Sequence, residues 1–364
     1  MSVVDERNER AKEFVLAWLS RASKFSLTPA LSIEHATELR ILNALIPIKQ
    51  NGFRGIVLTA IVGKYLNKTF NALENFYACN PRSIFEHGIY YALKEARIPC
   101  GKSDPLNVAK NIQRLDYGWA QGRRPEAAAR AAVDYLTLLE QNFGSKDRYE
   151  LLLMLYFHTL HQYGLEVNSQ NIEFTIEDRA IPLHYGELLA DFVLECPEGG
   201  TVTQFVVGLL IASLRQGDSK VSSVEGVHES VFGTNTTSKK PADVWEINSD
   251  GQLGGLYEIT VKVIDRKRLD DCVESLRTLG IGDKAVTFIC NLPNDVEGLG
   301  LPNRHLVHQG IAIQFLDIRH FVEITYCMLT DAQQVELFET IQEFVSDPNR
   351  PIKTKQYWKN LVTS

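Results

Sequence analysis

The chain has 364 residues, of which 45% are hydrophobic and 23% charged, and its formal net charge is −7. This length suits about two domains, and the composition is that of an ordinary soluble globular protein. The apolar run from Phe205 to Leu214 is too short for a membrane span, which needs about 18 consecutive apolar residues, and the charged N-terminus is unlike a signal peptide. The six cysteines form no Cys-x-x-Cys pair, so we expect a reduced, cytoplasmic protein without a zinc ribbon or a membrane partner.

The charge is unevenly divided along the chain. Residues 1–150 carry 21 Lys and Arg against 16 Asp and Glu, whereas residues 151–364 carry 17 against 29. Such asymmetry favours different tasks for the two halves, although chance variation between two solvated surfaces explains it equally well. The negative total, taken alone, argues weakly against nucleic-acid binding.

The first half is predicted to be helical nearly throughout, because apolar residues recur at three- and four-residue spacing. Clusters of Gly, Pro, Asn and Ser predict the breaks between helices, and these lie at 51–53, 79–83, 98–105 and 142–147. A long apolar helix then begins at Arg148 and is predicted to end at Gly164.

The pattern changes after about residue 165. Helices are predicted at 186–195 and 201–216. The segment 222–240 is polar and contains glycine, and loops are predicted at 233–240 and 301–310. Runs of β-branched and aromatic residues predict strands at 242–248, 257–263, 285–292 and 311–318, with a helix between the second and third strands and helices at the C-terminus. We therefore predict an α+β protein with an α/β core: a helical domain over residues 1–175 and a domain with a mixed sheet flanked by helices over residues 176–364.

The segment from Lys239 to Arg268 carries the most chemical information. A loop rich in Asp and Gly joins two predicted strands as a β-hairpin, and Asp243 opens the first of them. On the second strand, alternation would place Glu258 and Lys262 on one face. Because a carboxylate and an ammonium along a core face would each need partners, this face is predicted to be a site.

The residue types favour metal-assisted hydrolysis of a phosphodiester. Mg²⁺ is usually held by one or two carboxylates together with substrate phosphate, which matches Asp243 and Glu258. Lys262 could help to deprotonate the attacking water or stabilise charge on the phosphate. The alternative is that Glu258 and Lys262 form a solvated pair on an edge strand and that Asp243 is only a turn residue.

The Pro-Ala-Asp and Glu-Ile-Thr-Val-Lys motifs of this segment resemble those of the P-D…(D/E)-x-K nuclease superfamily, and more narrowly those of the SacI-like family of type II restriction endonucleases. The chain departs from the superfamily spacing, because Thr260 stands where the lysine of E-x-K is expected and Lys262 follows one strand period later. The segment from Asn80 to Asn107 also resembles the family, with an Arg-Ser pair opening a helix that leads to a Gly- and Pro-containing loop.

The resemblance implies Mg²⁺-dependent cleavage of double-stranded DNA at a short defined site, without ATP, by a homodimer. A methyltransferase acting on the same site would then be the functional partner. Residues 176–364 would form the restriction-endonuclease-like catalytic domain, and residues 1–175 would serve DNA recognition or dimerisation. Two alternatives stay open: a repair or structure-specific nuclease of the same superfamily, and a DNA-binding regulatory protein without catalytic activity.

A nuclease also needs cations for phosphate and polar groups for base edges. Candidates for DNA contact lie in turns or at predicted helix entries, and they are Arg82, Lys102, Arg123, Arg124, Asn235, Thr236, Lys239, Lys240, Arg266 and Lys267. For any one of these residues a solvated surface position is the more common alternative, but together their clustering near turns favours contact.

Overall fold

A computed structural model describes residues 3–171, 182–228, 240–301 and 304–363. The chain forms two compact units, one of Met1–Asn171 with Asp347–Ile352 and the other of Ile172–Ser346 with Lys353–Ser364. The α+β fold class predicted from the sequence is confirmed, since helices surround one mixed sheet of six strands. None of the helices in the described ranges is long and apolar enough to cross a membrane.

The first unit is helical. Its α-helices are α1 (Val3–Ala22), α2 (Pro29–Glu34), α3 (Ala36–Leu45), α4 (Gly52–Leu66), α5 (Ala72–Asn75), α6 (Pro81–Ile84), α7 (Tyr90–Glu95), α8 (Asp104–Ala109), α9 (Tyr117–Ala120), α10 (Glu126–Asn142) and α11 (Lys146–Ser169). A 3₁₀ turn covers Phe76–Cys79 and a π turn covers Phe85–Ile89. The central helix α4 is buried from Gly52 to Lys64, so the other helices pack around it. Each predicted break contains a helix boundary, but α11 continues beyond Gly164 to Ser169.

The second unit contains the sheet. Its helices are α12 (Pro182–Glu195), α13 (Thr201–Arg215), α14 (Arg266–Thr278), α15 (Ile318–Met328), α16 (Asp331–Ser346) and α17 (Ile352–Thr363), and its strands are β1 (Val221–Glu225), β2 (Val244–Asn248), β3 (Leu253–Ile259), β4 (Val286–Cys290), β5 (His305–His308) and β6 (Ile311–Asp317). The strand order is β1-β2-β3-β4-β6-β5. The pairs β3–β4 and β4–β6 are parallel, and the outer pairs are antiparallel.

Alternation along the strands builds a core on each face of this sheet. Val244, Ile259 and Ile289 pack with α12, α13, α15 and α16 on one face. Leu256 and Phe288 pack with α14 on the other. The helix α14, which connects the parallel strands β3 and β4, covers the second face, as expected for a crossover connection.

The β2–β3 turn is shorter than the loop expected from the sequence. It runs from Asn248 to Gln252, and Gly251 has a φ of +78°, which glycine tolerates without strain. Gly254 and Gly255 lie inside β3 instead of in the loop. A Cβ atom at Gly254 would stand 2.6 Å from the side-chain oxygen of Asn248, so this glycine allows close packing in the hairpin.

Candidate functional site

Asp243 and Glu258 meet at the point where β2 begins and β3 ends. The register of the hairpin pairs Val244 with Tyr257, which sets the preceding Asp243 beside Glu258. The backbone N–H of Ile259 donates a 2.9 Å hydrogen bond to Oδ2 of Asp243, and the two carboxyl groups share a hydrogen bond. The structure thus brings together the two acidic residues that the sequence analysis proposed as metal ligands.

The pair lies in a partly desolvated environment. Glu258 is 6% exposed, and Asp243 is partly buried. Burial raises the pKa of Asp243 above its ordinary value, and the rise persists although the Ile259 N–H, the charges of Arg268 and Lys240 and the hydrogen bond with Glu258 all act to lower it. A buried carboxyl with a raised pKa, placed beside a second carboxyl, is a poor arrangement for stability alone, and a bound cation would relieve it.

The two carboxylates could hold a hard cation that has few protein ligands. Carboxylate oxygens are the ligands that Mg²⁺ prefers, and it commonly keeps several waters. Within the described ranges no group of three or more His, Cys, Asp or Glu side chains could hold a metal ion. A site built on Asp243 and Glu258 would therefore depend on water and substrate for its remaining ligands.

Lys262 does not lie on the strand that carries Glu258. The prediction that this strand reaches residue 263 is wrong, because β3 ends at Ile259 and the chain bends at residues 261–262. The bend is stabilised by Thr260, whose hydroxyl accepts a 3.0 Å hydrogen bond from the backbone N–H of Lys262. Thr260 is 4% exposed and Lys262 is exposed, so strand alternation no longer places Lys262 beside Glu258.

Two other cations act on the carboxyl of Asp243. They are Arg268, in the first turn of α14, and Lys240, three residues before Asp243. Both are partly buried, whereas Arg266 and Lys267 are exposed on the same helix. Asn235, Thr236 and Lys239 lie outside the described residues, so their proposed DNA contacts remain predictions.

The candidates for DNA contact in the first unit occupy its surface. Arg82 is exposed and lies 3.7 Å from a carboxylate oxygen of Glu86. Lys102 and Arg124 are exposed, and the guanidinium of Arg123 lies 5.9 Å from the ring centre of Trp119. Their roles in DNA binding stay predictions.

Ser83 is hydrogen-bonded to α1 near the start of the segment from Asn80 to Asn107. The hydroxyl of Ser83 accepts a 2.7 Å hydrogen bond from Arg7 and a 3.3 Å bond from the side-chain amide of Asn8. Further along the segment, the hydroxyl of Ser103 donates a 2.8 Å hydrogen bond to the carboxylate of Glu86. The bonds to Ser83 hold the start of this segment against α1. The bond from Ser103 joins the end of the segment to the π turn that contains Glu86.

A third carboxylate in the hairpin, that of Glu246, was not among the predicted site residues. It is 4% exposed and accepts 2.8 Å hydrogen bonds from Arg215 and from the Tyr257 hydroxyl, together with a 3.2 Å bond from the Gly255 N–H. Glu246 points to the face of β2 opposite Asp243, because odd and even positions of a strand face opposite ways. The only signal for Glu246 in the sequence was this odd or even position relative to Asp243. Its carboxylate forms a structural ion pair with Arg215.

We expect Glu246→Gln to lower the free energy of unfolding by about 1–3 kcal/mol at neutral pH, since it removes the charge from buried hydrogen bonds. Burial alone would raise the pKa of Glu246, but the bonds from Arg215, Tyr257 and Gly255 outweigh it and the pKa is lowered. The stabilisation is therefore present above the ordinary pKa of Glu, about 4.3, and is lost as pH falls through the lower folded pKa. Urea unfolding at a series of pH values checks this: a difference between wild type and variant that does not shrink on acidification would contradict it.

No known protein-family model matches this chain, and no curated protein is significantly similar to it in sequence.

Proposed function

We propose that this protein is a Mg²⁺-dependent endonuclease that hydrolyses phosphodiester bonds in double-stranded DNA, and specifically a type II restriction endonuclease. The observation that carries the proposal is the pairing of Asp243 with Glu258 at the carboxyl end of β3, beside partly buried cations. The resemblance of this hairpin to the P-D…(D/E)-x-K nucleases supports the same chemistry.

Each residue of the pair has a role that follows from its contacts. Asp243 is oriented by the N–H of Ile259, which donates to its Oδ2 atom. Glu258 stands beside it on the rigid central strand β3, which is hydrogen-bonded on both sides. Bound Mg²⁺ would supply a Lewis acid that withdraws charge from the phosphoryl oxygen.

The hydrolysis itself balances without a further reactant. The oxygen of a water molecule bonds to phosphorus, the bond from phosphorus to one sugar oxygen breaks, the water gives up a proton, and the departing sugar oxygen gains one. The side chains of the site would orient the phosphate and offset its growing negative charge, because pre-oriented donors and cations act most strongly where charge develops. Lys262 was assigned a part in this step, but its exposed position beyond β3 gives that assignment no support.

The proposal gives the first unit the task of binding DNA. Residues 1–150 hold 21 Lys and Arg against 16 Asp and Glu, although the whole chain is acidic. As the resemblance implies, the proposed enzyme would act as a homodimer and would require a partner methyltransferase for protection of host DNA.

Incubation of the purified protein with unmethylated phage DNA tests the proposal. We expect discrete fragments with about 10 mM Mg²⁺, the range in which weak carboxylate sites fill, and no cleavage with EDTA. A smear, or a preference for branched substrates, would replace restriction with repair or structure-specific cleavage. Failure to cleave any DNA with Mg²⁺ or Mn²⁺ would contradict the nuclease proposal and leave a binding role.

The variant Glu258→Gln links the activity to the site. We expect it to lower the cleavage rate by a factor of about 100 or more, as loss of a group that acts on the transition state does. Glu274→Gln, an exposed carboxylate on α14, is the matched control and should cleave as the wild type does. Equal rates for the two variants would show that a contaminating nuclease or another site is responsible.

A further inference from the structure

One face of α14 lies along the chain segment that leads into Asp243. Arg268, Cys272 and Ser275 follow one another on this face at spacings of four and three residues. The hydroxyl of Ser275 contacts the carbonyl oxygen of Lys240 at 3.5 Å, and Cys272 packs in the same cluster as Ala242. Arg268, one turn earlier on the face, is therefore directed to the end of the segment where Asp243 stands.

A second chain segment places the first turn of α14 beside the end of β4. The N–H of Ile264 donates a 2.7 Å hydrogen bond to the carbonyl of Asp295. The carboxylate of Asp295, 5% exposed, accepts a 2.9 Å bond from the N–H of Asn291, directly after β4. The segment that leads into α14 is thus joined to the residues that follow β4.

The charge of Arg268 acts on the carboxyls of both Asp243 and Asp295. Burial raises the pKa of Asp243 and that of Asp295, and in each case Arg268 acts in the opposite direction. The same charge acts on the thiols of Cys272 and Cys290. These groups surround the carboxyl ends of the parallel strands β3 and β4, where open α/β sheets commonly bind ligands.

We propose that Arg268, and not Lys262, supplies the cationic group of the candidate active site, where it binds a non-bridging oxygen of the scissile phosphate. This inference rests on the proposed nuclease function. The backbone N–H of Arg268 is fixed by a 2.8 Å bond to Asp265, the N-cap of α14, so the side chain projects from a rigid first turn. Lys262, by contrast, extends from an exposed bend.

The identity of the cation changes the chemistry expected of the site. A guanidinium is not deprotonated in proteins and binds phosphate through two parallel N–H donors. Arg268 would therefore neutralise charge on the phosphate and would not accept the proton of the attacking water, which passes to solvent in this scheme. When no substrate is bound, the same guanidinium offsets the charge of Asp243.

Single-turnover cleavage by matched methionine variants tests the assignment. We expect Arg268→Met to slow cleavage by a factor of about 100 to 1,000, the usual effect of losing one transition-state donor, and Arg268→Lys to recover part of the rate. Lys262→Met and Lys240→Met should each lose less than about tenfold, and the exposed Lys220→Met is the control for a lost surface charge. A larger loss in Lys262→Met or Lys240→Met than in Arg268→Met would overturn the proposal.

A double-mutant cycle tests the position of Arg268 without any cleavage assay. In metal-free buffer, Arg268→Met should lower the melting temperature of the wild type clearly more than that of Asp243→Asn, since only a charged Asp243 needs the guanidinium. Additive effects would show that Arg268 does not act on Asp243 and would overturn the inference. If the wild type cleaves no DNA, the nuclease proposal fails by itself, and the cycle still decides whether Arg268 compensates the carboxyl pair.

Discussion

Asp243→Asn is expected to raise the melting temperature of the metal-free protein and to remove most of the stabilisation that Mg²⁺ gives the wild type. The amide keeps an oxygen to accept the hydrogen bond from Ile259, which now joins Asp243 to β3 at 2.9 Å. It also removes a carboxyl whose raised pKa makes ionisation unfavourable in the folded protein. We expect a gain of roughly 1 kcal/mol, or about 2–4 °C, in the metal-free state.

The expected loss of Mg²⁺-dependent stabilisation in Asp243→Asn is larger than this gain. A cation at 100 times its dissociation constant stabilises the folded protein by about 2.7 kcal/mol, and Asp243→Asn should lose most of that shift together with cleavage. Differential scanning calorimetry with EDTA and with increasing Mg²⁺ measures both effects. Asp271→Asn, an exposed carboxylate on α14, should behave as the wild type does. A Mg²⁺ shift that survives intact in Asp243→Asn would show that the cation binds elsewhere.

The parts of the sheet that could be predicted from the sequence are those with a buried face. The four predicted strands correspond to β2, β3, β4 and β6, whose alternating apolar residues enter the two cores. The edge strands β1 and β5 were not predicted. None of their side chains is fully buried, and their apolar residues do not alternate with polar ones along the strand. They form because a neighbouring strand offers hydrogen bonds.

The acidic pair was predictable for a related reason. A short hairpin fixes its own register, so the proximity of Asp243 and Glu258 followed from the separation of the two strands along the chain. The end of β3 did not follow, because it depends on a hydrogen bond between the Thr260 hydroxyl and the Lys262 N–H. The position of Arg268 depends on how α14 packs against residues 240–243 and 295, which is long-range information that local periodicity does not contain.

Arg54→Met is expected to destabilise the first unit by about 3–5 kcal/mol, the usual effect of removing one partner from a buried charged network. Arg54 is 4% exposed and lies on the central helix α4. Its guanidinium donates 2.8 Å hydrogen bonds to the carbonyls of Ile46 and Ile48 and a 3.0 Å bond to that of Pro99. It therefore joins the α3–α4 connection to the loop before α8.

The expected loss of stability in Arg54→Met is this large because the carbonyls of Ile46, Ile48 and Pro99 would stay buried without a hydrogen-bond donor. Methionine fills much of the volume and contributes apolar contact, but each unsatisfied buried carbonyl costs about 1–3 kcal/mol. Burial lowers the pKa of Arg54, which shows that the folded protein already bears a desolvation cost that these hydrogen bonds must outweigh.

Urea unfolding followed by circular dichroism measures the change, with Arg40→Met, an exposed arginine on α3, as the matched control. Arg54→Lys keeps the charge but has a single ammonium in place of the planar fork, so it can reach fewer of the three carbonyls and should recover only part of the loss. A loss below about 1 kcal/mol in Arg54→Met, within the range of an ordinary surface change, would mean that water or a repacked loop satisfies the carbonyls. The connection between α3 and α4 would then owe its conformation to the apolar packing of Ile46 and Phe53, which are both fully buried, and not to the guanidinium.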